Sequence, residues 1–204
     1  DIKFYKNQGF GVDVATNFIK GSTCSKETIE KLLKDLDKME VGCYQVDFER
    51  KSTNIKADIK ALNQLDKIVK GVALPVNGKK SDNSSIKKGK NYILIHSHSP
   101  IGGAVGRIIA KRNHIKIIYM AHGFHFYKGA PRKNWLLYYP IEKELSRITD
   151  VLITINQEDY KRAKKEFKAK KIVYIPGVGI DVEKFQIDKN KGKMKREELG
   201  LKDR

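Results

Sequence analysis

The sequence of 204 residues lacks several features that mark particular classes of protein. It has two cysteines, Cys24 and Cys43, which do not have the spacing of metal ligands, so a reduced, cytosolic protein is the simpler interpretation. No apolar run approaches the ~20 residues of a membrane-spanning helix, and the longest, such as residues 92–95, have the length of a strand. We find no signal peptide, Ser-His-Asp arrangement, phosphate-binding P-loop or glycosidase-type pair of carboxylates.

Acidic residues are few relative to basic ones. The 24 Asp and Glu stand against 42 Lys and Arg, which gives a net charge of +18 concentrated in residues 79–90, 161–171 and 189–196. Such a charge favours an anionic partner, whether nucleic acid, anionic lipid or a phosphorylated substrate. A lysine-rich genome would produce the same excess on solvated surfaces, so charge alone does not identify the partner.

Strand-like and helix-like segments alternate along the chain. This alternation predicts an α/β fold, a Rossmann-like parallel sheet of about six strands with helices on both faces. A polar, turn-rich insertion at residues 71–90 interrupts it, and we assign residues 1–185 to the domain and residues 186–204 to a linker and the entry to a further domain. The predicted strands are 11–15, 42–47, 92–96, 115–120, 151–155 and 172–175, and the predicted helices are 25–39, 54–70, 104–111, 135–147 and 157–168.

Three polar or glycine-rich loops follow predicted strands, at residues 97–103, 122–128 and 176–179. In an open α/β sheet, ligands bind in the crevice beyond the carboxyl ends of the strands, so these loops form the predicted rim of a site. Gly102 and Gly103 either let the backbone approach a ligand or satisfy the geometry of a tight turn. Both interpretations stay open.

Two histidines of the second loop are the strongest candidates for chemistry. His122 ends a predicted strand and can reach into the crevice, where it would donate to a developing charge or orient a hydroxyl. His125 and Lys128 lie among aromatic residues that suit the stacking of sugar rings, whereas the run 135–139 is assigned to the core. A metal site would need further ligands from the histidines of segment 96–98, one of which we expect to point inward, so no metal is predicted.

Several segments resemble the N-terminal domain of family-4 glycosyltransferases of GT-B type, especially the branch that acts in capsular and exopolysaccharide synthesis. They cover most of residues 96–185, while residues 1–70 match more loosely. The clearest are His-Ser-His-Ser-Pro-Ile-Gly-Gly (96–103), Ala-His-Gly-Phe-His-Phe-Tyr-Lys-Gly-Ala-Pro (121–131), Asn-Trp-Leu-Leu-Tyr-Tyr-Pro-Ile-Glu-Lys (134–143), Thr-Ile-Asn-Gln-Glu-Asp-Tyr (154–160) and Ile-Pro-Gly-Val-Gly-Ile-Asp (175–181).

The resemblance implies a two-domain enzyme that transfers a sugar from a nucleotide donor to an acceptor, with retention at the anomeric carbon and without a metal or other cofactor. In that family the N-terminal domain mainly holds the acceptor, and the C-terminal domain holds the nucleotide sugar. His122 falls where the family places a crevice histidine that contacts the transferred sugar or the acceptor. The acceptor-binding residues implied beside it are Ser99, Gly102, Gly103, His125, Lys128, Asn156 and Gly177.

The implied partners are a nucleotide sugar, a lipid-linked or saccharide acceptor and an anionic membrane surface, which would make the protein cytoplasmic and peripheral on the inner membrane face. Nucleic acid is not expected, because the aromatic residues lie in one loop rather than interleaved with Lys and Arg on a strand face. The alternatives left open are a nucleotide-sugar epimerase, a non-catalytic partner subunit and a polyanion- or nucleic-acid-binding module.

The family's first strand and its donor-binding domain have no counterpart in the sequence, which begins at Asp1 without a methionine. We therefore expect a fragment that is inactive alone. Since the first strand would be central in the sheet, its absence would expose ladder groups, and marginal stability is expected as well.

Overall fold

The computed structural model describes residues 7, 13–16, 26–39, 41–46, 55–71, 92–177, 179 and 189–201. The predicted insertion at 71–90 lies almost entirely outside these residues, as does the basic cluster at 79–90. The strands are β1 (Asp13–Thr16), β2 (Gly42–Gln45), β3 (Leu94–His98), β4 (Lys116–Ala121), β5 (Val151–Thr154) and β6 (Lys171–Tyr174), and the helices are α1 (Lys26–Lys38), α2 (Ile55–Val69), α3 (Pro100–Arg112), α4 (Arg132–Ser146), α5 (Gln157–Glu166) and α6 (Lys189–Glu198).

Every strand pair that the structure describes is parallel. The strands β3, β4, β5 and β6 form one sheet in chain order, and β1 pairs with β2 in a second sheet. Helix α3 packs against β3 and β4, and α2 packs against α3. The predicted parallel α/β class is confirmed, but the expectation of a single sheet differs from the described part, where β1 and β3 are not hydrogen-bonded to each other. The family resemblance predicts a further, central strand beside β1 and β3, and this stays a prediction.

The junction between β3 and α3 differs from its prediction. Strand β3 ends at His98, two residues later than expected, and α3 begins at Pro100, four residues earlier. The cause is the residue between them, because the side chain of Ser99 accepts a hydrogen bond from Gly102 N at 3.3 Å and so caps the helix. Proline suits the first turn, where its missing N–H would have no helical partner.

An aromatic cluster forms the core on the α4 side of the sheet. Phe124 and Phe126 stack with ring centroids 4.8 Å apart, and Phe126 also contacts Trp135, Tyr139 and Phe167 edge-on. Both loop phenylalanines are buried, so they cannot stack on a sugar or a lipid-linked acceptor, whereas Tyr127 of the same loop is 50% exposed and its stacking role stays a prediction. Burying the two phenylalanines against the helix removes more apolar surface from water than a solvent-facing loop would.

The aromatic run of α4 is only partly in the core. Trp135, Tyr138 and Tyr139 pack against it, as the sequence predicts, whereas Leu136 and Leu137 are exposed. The helical period explains the split, because residues one and two positions from Trp135 point away from the core cluster against which Trp135 packs.

Candidate functional site

The candidate site lies at the carboxyl edge of the four-stranded sheet. The register pairs His98 with Met120, and Ala121 with Thr154, which pairs in turn with Tyr174, so all four strands end at one edge. All the residues proposed for the site are found in segments that leave this edge, and their role in binding stays a prediction. They are Ser99, Gly102, Gly103, His122, His125, Lys128, Asn156 and Gly177.

A pair of histidines from neighbouring strands meets at this edge. His98 Nδ1 lies 3.0 Å from His122 Nε2, a hydrogen-bonding distance. The ring of His96 lies 4.5 Å from that of His98, centroid to centroid. Residues two apart in a strand project from the same face. His96 is the more buried of the two, and the expectation that one of them points inward to hydrogen-bond the backbone stays a prediction. His98 is the functional candidate that sequence reasoning missed.

Two histidines at this edge, His96 and His98, have lowered pKa values, which favour their neutral forms. Burial, with smaller effects from the neighbouring His98 and His122, lowers the pKa of His96 to about 4. Burial and the nearby His122 also lower the pKa of His98. In a neutral pair one ring donates and the other accepts. Since His122 uses Nε2 for this bond and Nδ1 has no partner among the described residues, Nδ1 is the atom that remains for a substrate.

The first turn of α3 borders the histidines. Ser99, its N-cap, has φ 64°, a left-handed conformation that non-glycine residues seldom adopt and that is found at functional sites. A Cβ at Gly103 would overlap the ring of Tyr119, so close packing of helix on strand is enough to explain that glycine. A Cβ at Gly102 would lie 3.1 Å from Ser99 Oγ. A ligand-binding role for either glycine stays a prediction.

Beneath this turn lies a buried ion pair that sequence reasoning also missed. Arg107 Nη1 donates to Glu142 Oε2 at 2.8 Å, and Arg107 Nε donates to the carbonyl of Gly103 at 2.9 Å. The Tyr119 hydroxyl donates to Glu142 Oε1 at 3.3 Å, and burial together with Glu142 raises the pKa of Tyr119. The group joins α3, β4 and α4 behind the rim. The sequence did contain one indication of this pair, because Arg107 is a charged residue inside the otherwise apolar run 104–110.

Two carboxylates of α5 anchor the loop that carries the histidines. Asp159 Oδ2 accepts from Phe124 N at 2.9 Å, and Glu158 Oε1 accepts from Lys128 N at 2.7 Å. Asn156 caps α5, since its Oδ1 accepts from Asp159 N at 2.8 Å and its Nδ2 donates to Asp159 Oδ2 at 2.7 Å. Both ends of the Asn156 amide are therefore committed to the protein, and its ligand role stays a prediction.

The remaining candidates lie farther along the same edge. The exposed ring of His125 packs edge-on against Tyr138 at 4.6 Å, and its carbonyl accepts from Asn134 Nδ2 at 3.0 Å. Gly177 has φ 72° and donates to the carbonyl of Ile175 at 2.7 Å, a conformation for which glycine is favoured. Within the described part of the chain, no group of three or more His, Cys, Asp or Glu could hold a metal ion.

The sequence matches a protein family over residues 80–184, just over half of the chain. That family is described as Glycosyltransferase Family 4, and the matched region contains every candidate site residue. One curated relative, named "Putative glycosyltransferase EpsD", from Bacillus subtilis (strain 168), is 52% identical over 99 residues, which are 47% of this chain and 26% of that protein.

A second relative is the UDP-Gal:alpha-D-GlcNAc-diphosphoundecaprenol alpha-1,3-galactosyltransferase of Escherichia coli. It is 35% identical over 118 residues, which are 56% of this chain and 30% of that protein. The chain thus matches less than a third of the length of either curated relative. Among solved structures, HepE of Anabaena in complex with UDP-glucose has a TM-score of 0.51 at 11% identity, covering 93% of this chain and 50% of that one. This likeness supports the fold alone.

Proposed function

The chain belongs to glycosyltransferase family 4, and we propose that the protein containing it transfers a sugar from a nucleotide-sugar donor to a lipid-linked acceptor in the synthesis of a bacterial surface polysaccharide. The observation that carries this proposal is the family match over residues 80–184, which encloses the whole carboxyl edge. The E. coli relative supports a lipid acceptor, because its name specifies a diphosphoundecaprenol-linked one.

In this proposal His122 acts on the substrate through Nδ1. If His98 donates to His122 Nε2, Nδ1 carries a proton and can donate to a sugar oxygen on which negative charge develops. If His98 accepts instead, Nδ1 receives a hydrogen bond from a hydroxyl and orients it for attack. In either arrangement His98 is neutral, as its lowered pKa favours.

The anchored loop and the first turn of α3 form the acceptor side of the proposed site. The backbone hydrogen bonds from Phe124 and Lys128 to the carboxylates of α5 fix the loop in which His122 and His125 stand. Fixing such groups before the substrate arrives reduces the ordering needed for transfer. We further propose retention at the anomeric carbon, transfer without a metal, and a nucleotide sugar bound by a second domain, so that residues 1–204 alone would be inactive.

The proposal is tested by assaying the full-length protein with UDP-sugars and an undecaprenyl-diphosphate-linked acceptor, with and without EDTA. His122→Asn is expected to lower kcat/KM by about a hundredfold, a typical size for the loss of one group that stabilises the transition state. His114→Asn is the matched control, because His114 is exposed, follows α3 and has φ 55°, which asparagine also tolerates.

Two outcomes would overturn the proposal. The first is a folded full-length protein that transfers no sugar from any nucleotide donor, which would favour the non-catalytic subunit. The second is an unchanged kcat/KM in His122→Asn. Retention is tested separately by the anomeric configuration of the first product, which nuclear magnetic resonance reports.

A further inference from the structure

The first turn of α3 stands between the candidate site and the buried guanidinium of Arg107. Arg107 Nε donates to the carbonyl of Gly103 at 2.9 Å, and Gly103 N donates to the carbonyl of Ser99 at 2.8 Å. Ser99 directly follows His98, whose Nδ1 lies 3.0 Å from His122 Nε2. Two successive hydrogen bonds therefore join the guanidinium of Arg107 to the residue that follows His98.

The ring of Tyr119 makes a second connection. It lies beneath the guanidinium, with Arg107 Cζ 4.1 Å from the ring centroid, and its hydroxyl donates to Glu142 Oε1 at 3.3 Å. Gly103 packs on the same ring so closely that a Cβ would overlap it. Tyr119 belongs to β4 and stands three residues before His122. Arg107 thus contacts the turn that follows one histidine of the pair and the strand that precedes the other.

Stability alone does not account for a guanidinium at this position. Apolar side chains of similar volume often replace a buried ion pair without loss of stability. What they cannot replace is direction, because the guanidinium is a rigid plane whose edge here meets a carbonyl and a carboxylate while its face covers a ring. These contacts hold the turn that begins at Ser99, whose φ of 64° persists only where its surroundings enforce it.

We propose that Arg107 is a positioning residue of the transfer reaction, which fixes the first turn of α3 and β4 relative to each other and so holds the His98 ring against His122. It does not touch the substrate, since it is 1% exposed and lies behind the rim. A displacement of about 1 Å in a reacting group can lower a rate about a hundredfold, so an indirect contact can control transfer. The effect on transfer rests on the proposed function, whereas the effect on the histidine pair does not.

The test is Arg107→Met/Glu142→Leu in the full-length protein, which removes both charges while filling a similar volume. With UDP-sugars and an undecaprenyl-diphosphate-linked acceptor, kcat should fall about tenfold and both KM values should change little, because the histidine pair is proposed to act in the transition state. The matched control Arg112→Met/Glu144→Leu makes the same changes at exposed positions of the same two helices and should leave kcat unchanged. A thermal melt establishes that each variant is folded.

A double-mutant cycle with His98→Asn shows whether Arg107 acts through His98. If it does, the combined variant should lose little more kcat than His98→Asn alone, whereas the effects of independent residues multiply. Arg107→Lys is a second variant, because it keeps a charge opposite Glu142 and should stay folded. It should still lower kcat severalfold, since lysine lacks the planar fork that joins the carbonyl and the carboxylate.

Isotopic labelling of the histidine nitrogens, followed by nuclear magnetic resonance, reports on the pair directly and needs no turnover. The imidazole signals of His98 and His122 are identified with His98→Asn and His122→Asn. They should move in Arg107→Met/Glu142→Leu, because the two rings no longer meet in the same geometry. The signals of His114, an exposed histidine between α3 and β4, should stay in place.

Unchanged signals of His98 and His122, or an unchanged kcat in a folded variant, would overturn the positioning role. So would the failure of both Arg107 variants to fold, which would assign the buried group to stability alone. A loss of kcat that multiplies with that of His98→Asn would place the action of Arg107 elsewhere and overturn it too. If the unaltered protein transfers no sugar, the proposed function alone fails, and the histidine signals still decide whether Arg107 positions His98.

Discussion

Replacing Glu142 by glutamine should destabilise the protein strongly, because it leaves the charge of Arg107 buried without a counter-ion. The two side chains are 2.8 Å apart and nearly inaccessible to water. For unit charges about 4 Å apart the attraction is ~4 kcal/mol at an effective dielectric constant of about 20. Removing one partner of a buried pair typically costs about 3–5 kcal/mol. That is a large fraction of the ~5–15 kcal/mol that stabilises a domain.

The measurement is urea unfolding of the full-length protein followed by circular dichroism, with a thermal melt beside it. At about 2–4 °C per kcal/mol for a domain of this size, Glu142→Gln should lower the Tm of the transition that unfolds this domain on the order of 10 °C. Glu144→Gln is the matched control, since it is the same substitution two residues away in an exposed pair with Arg147. It should change the free energy of unfolding by less than ~1 kcal/mol.

A second variant separates charge from packing. Arg107→Met/Glu142→Leu removes both charges and fills a similar volume, so it should recover most of the stability lost in Glu142→Gln. If Glu142→Gln lowers the free energy of unfolding no more than Glu144→Gln does, the pair of Arg107 and Glu142 is not shielded from water. If the double variant is as unstable as the single one, the hydrogen bond from Arg107 to the Gly103 carbonyl, and not the unpaired charge, is what the fold needs.

Three further predictions concern the carboxyl edge. His98→Asn should lower kcat about tenfold with KM nearly unchanged, because it removes the partner that orients His122, and steady-state kinetics of the full-length protein checks this. His96 has a lowered pKa of about 4 in the folded protein. On acidification its ring therefore binds a proton in the unfolded chain before it does so in the folded one. Stability should therefore be fully present above about pH 6.5 and fall from there to about pH 4, and His96→Gln should flatten this fall in melts across that range. Gly103→Ala should cost about 1–3 kcal/mol of unfolding free energy because its Cβ meets the Tyr119 ring, and Gly102→Ala should cost less in the same melt.

The sequence predicted the order and type of the described strands and helices as far as β6, because the evidence for them is local, but it missed α6 (Lys189–Glu198), which lies in the segment assigned to a linker. Residues 115–120 and 151–155 are largely apolar runs of strand length, and the observed β4 is shifted by one residue while β5 ends one residue earlier. The larger shift at the start of α3 came from the cap. The sequence 97–103 was interpreted as a polar loop, but Ser99 and Pro100 are also the residues that begin a helix. Two glycines in the first turn made this helix start difficult to predict from the sequence.

The contacts that define the candidate site join residues far apart in sequence, which is why they were not predicted. His98 and His122 are 24 residues apart, Arg107 and Glu142 are 35 apart, and Lys128 and Glu158 are 30 apart. Each pair depends on the register between neighbouring parallel strands or on how a helix packs across them, and a shift of one residue turns a strand side chain to the opposite face. Periodicity therefore predicts the edge of the sheet at which His122 lies. Which ring nitrogen of His122 remains for a substrate depends on His98, the partner that the strand register places beside it.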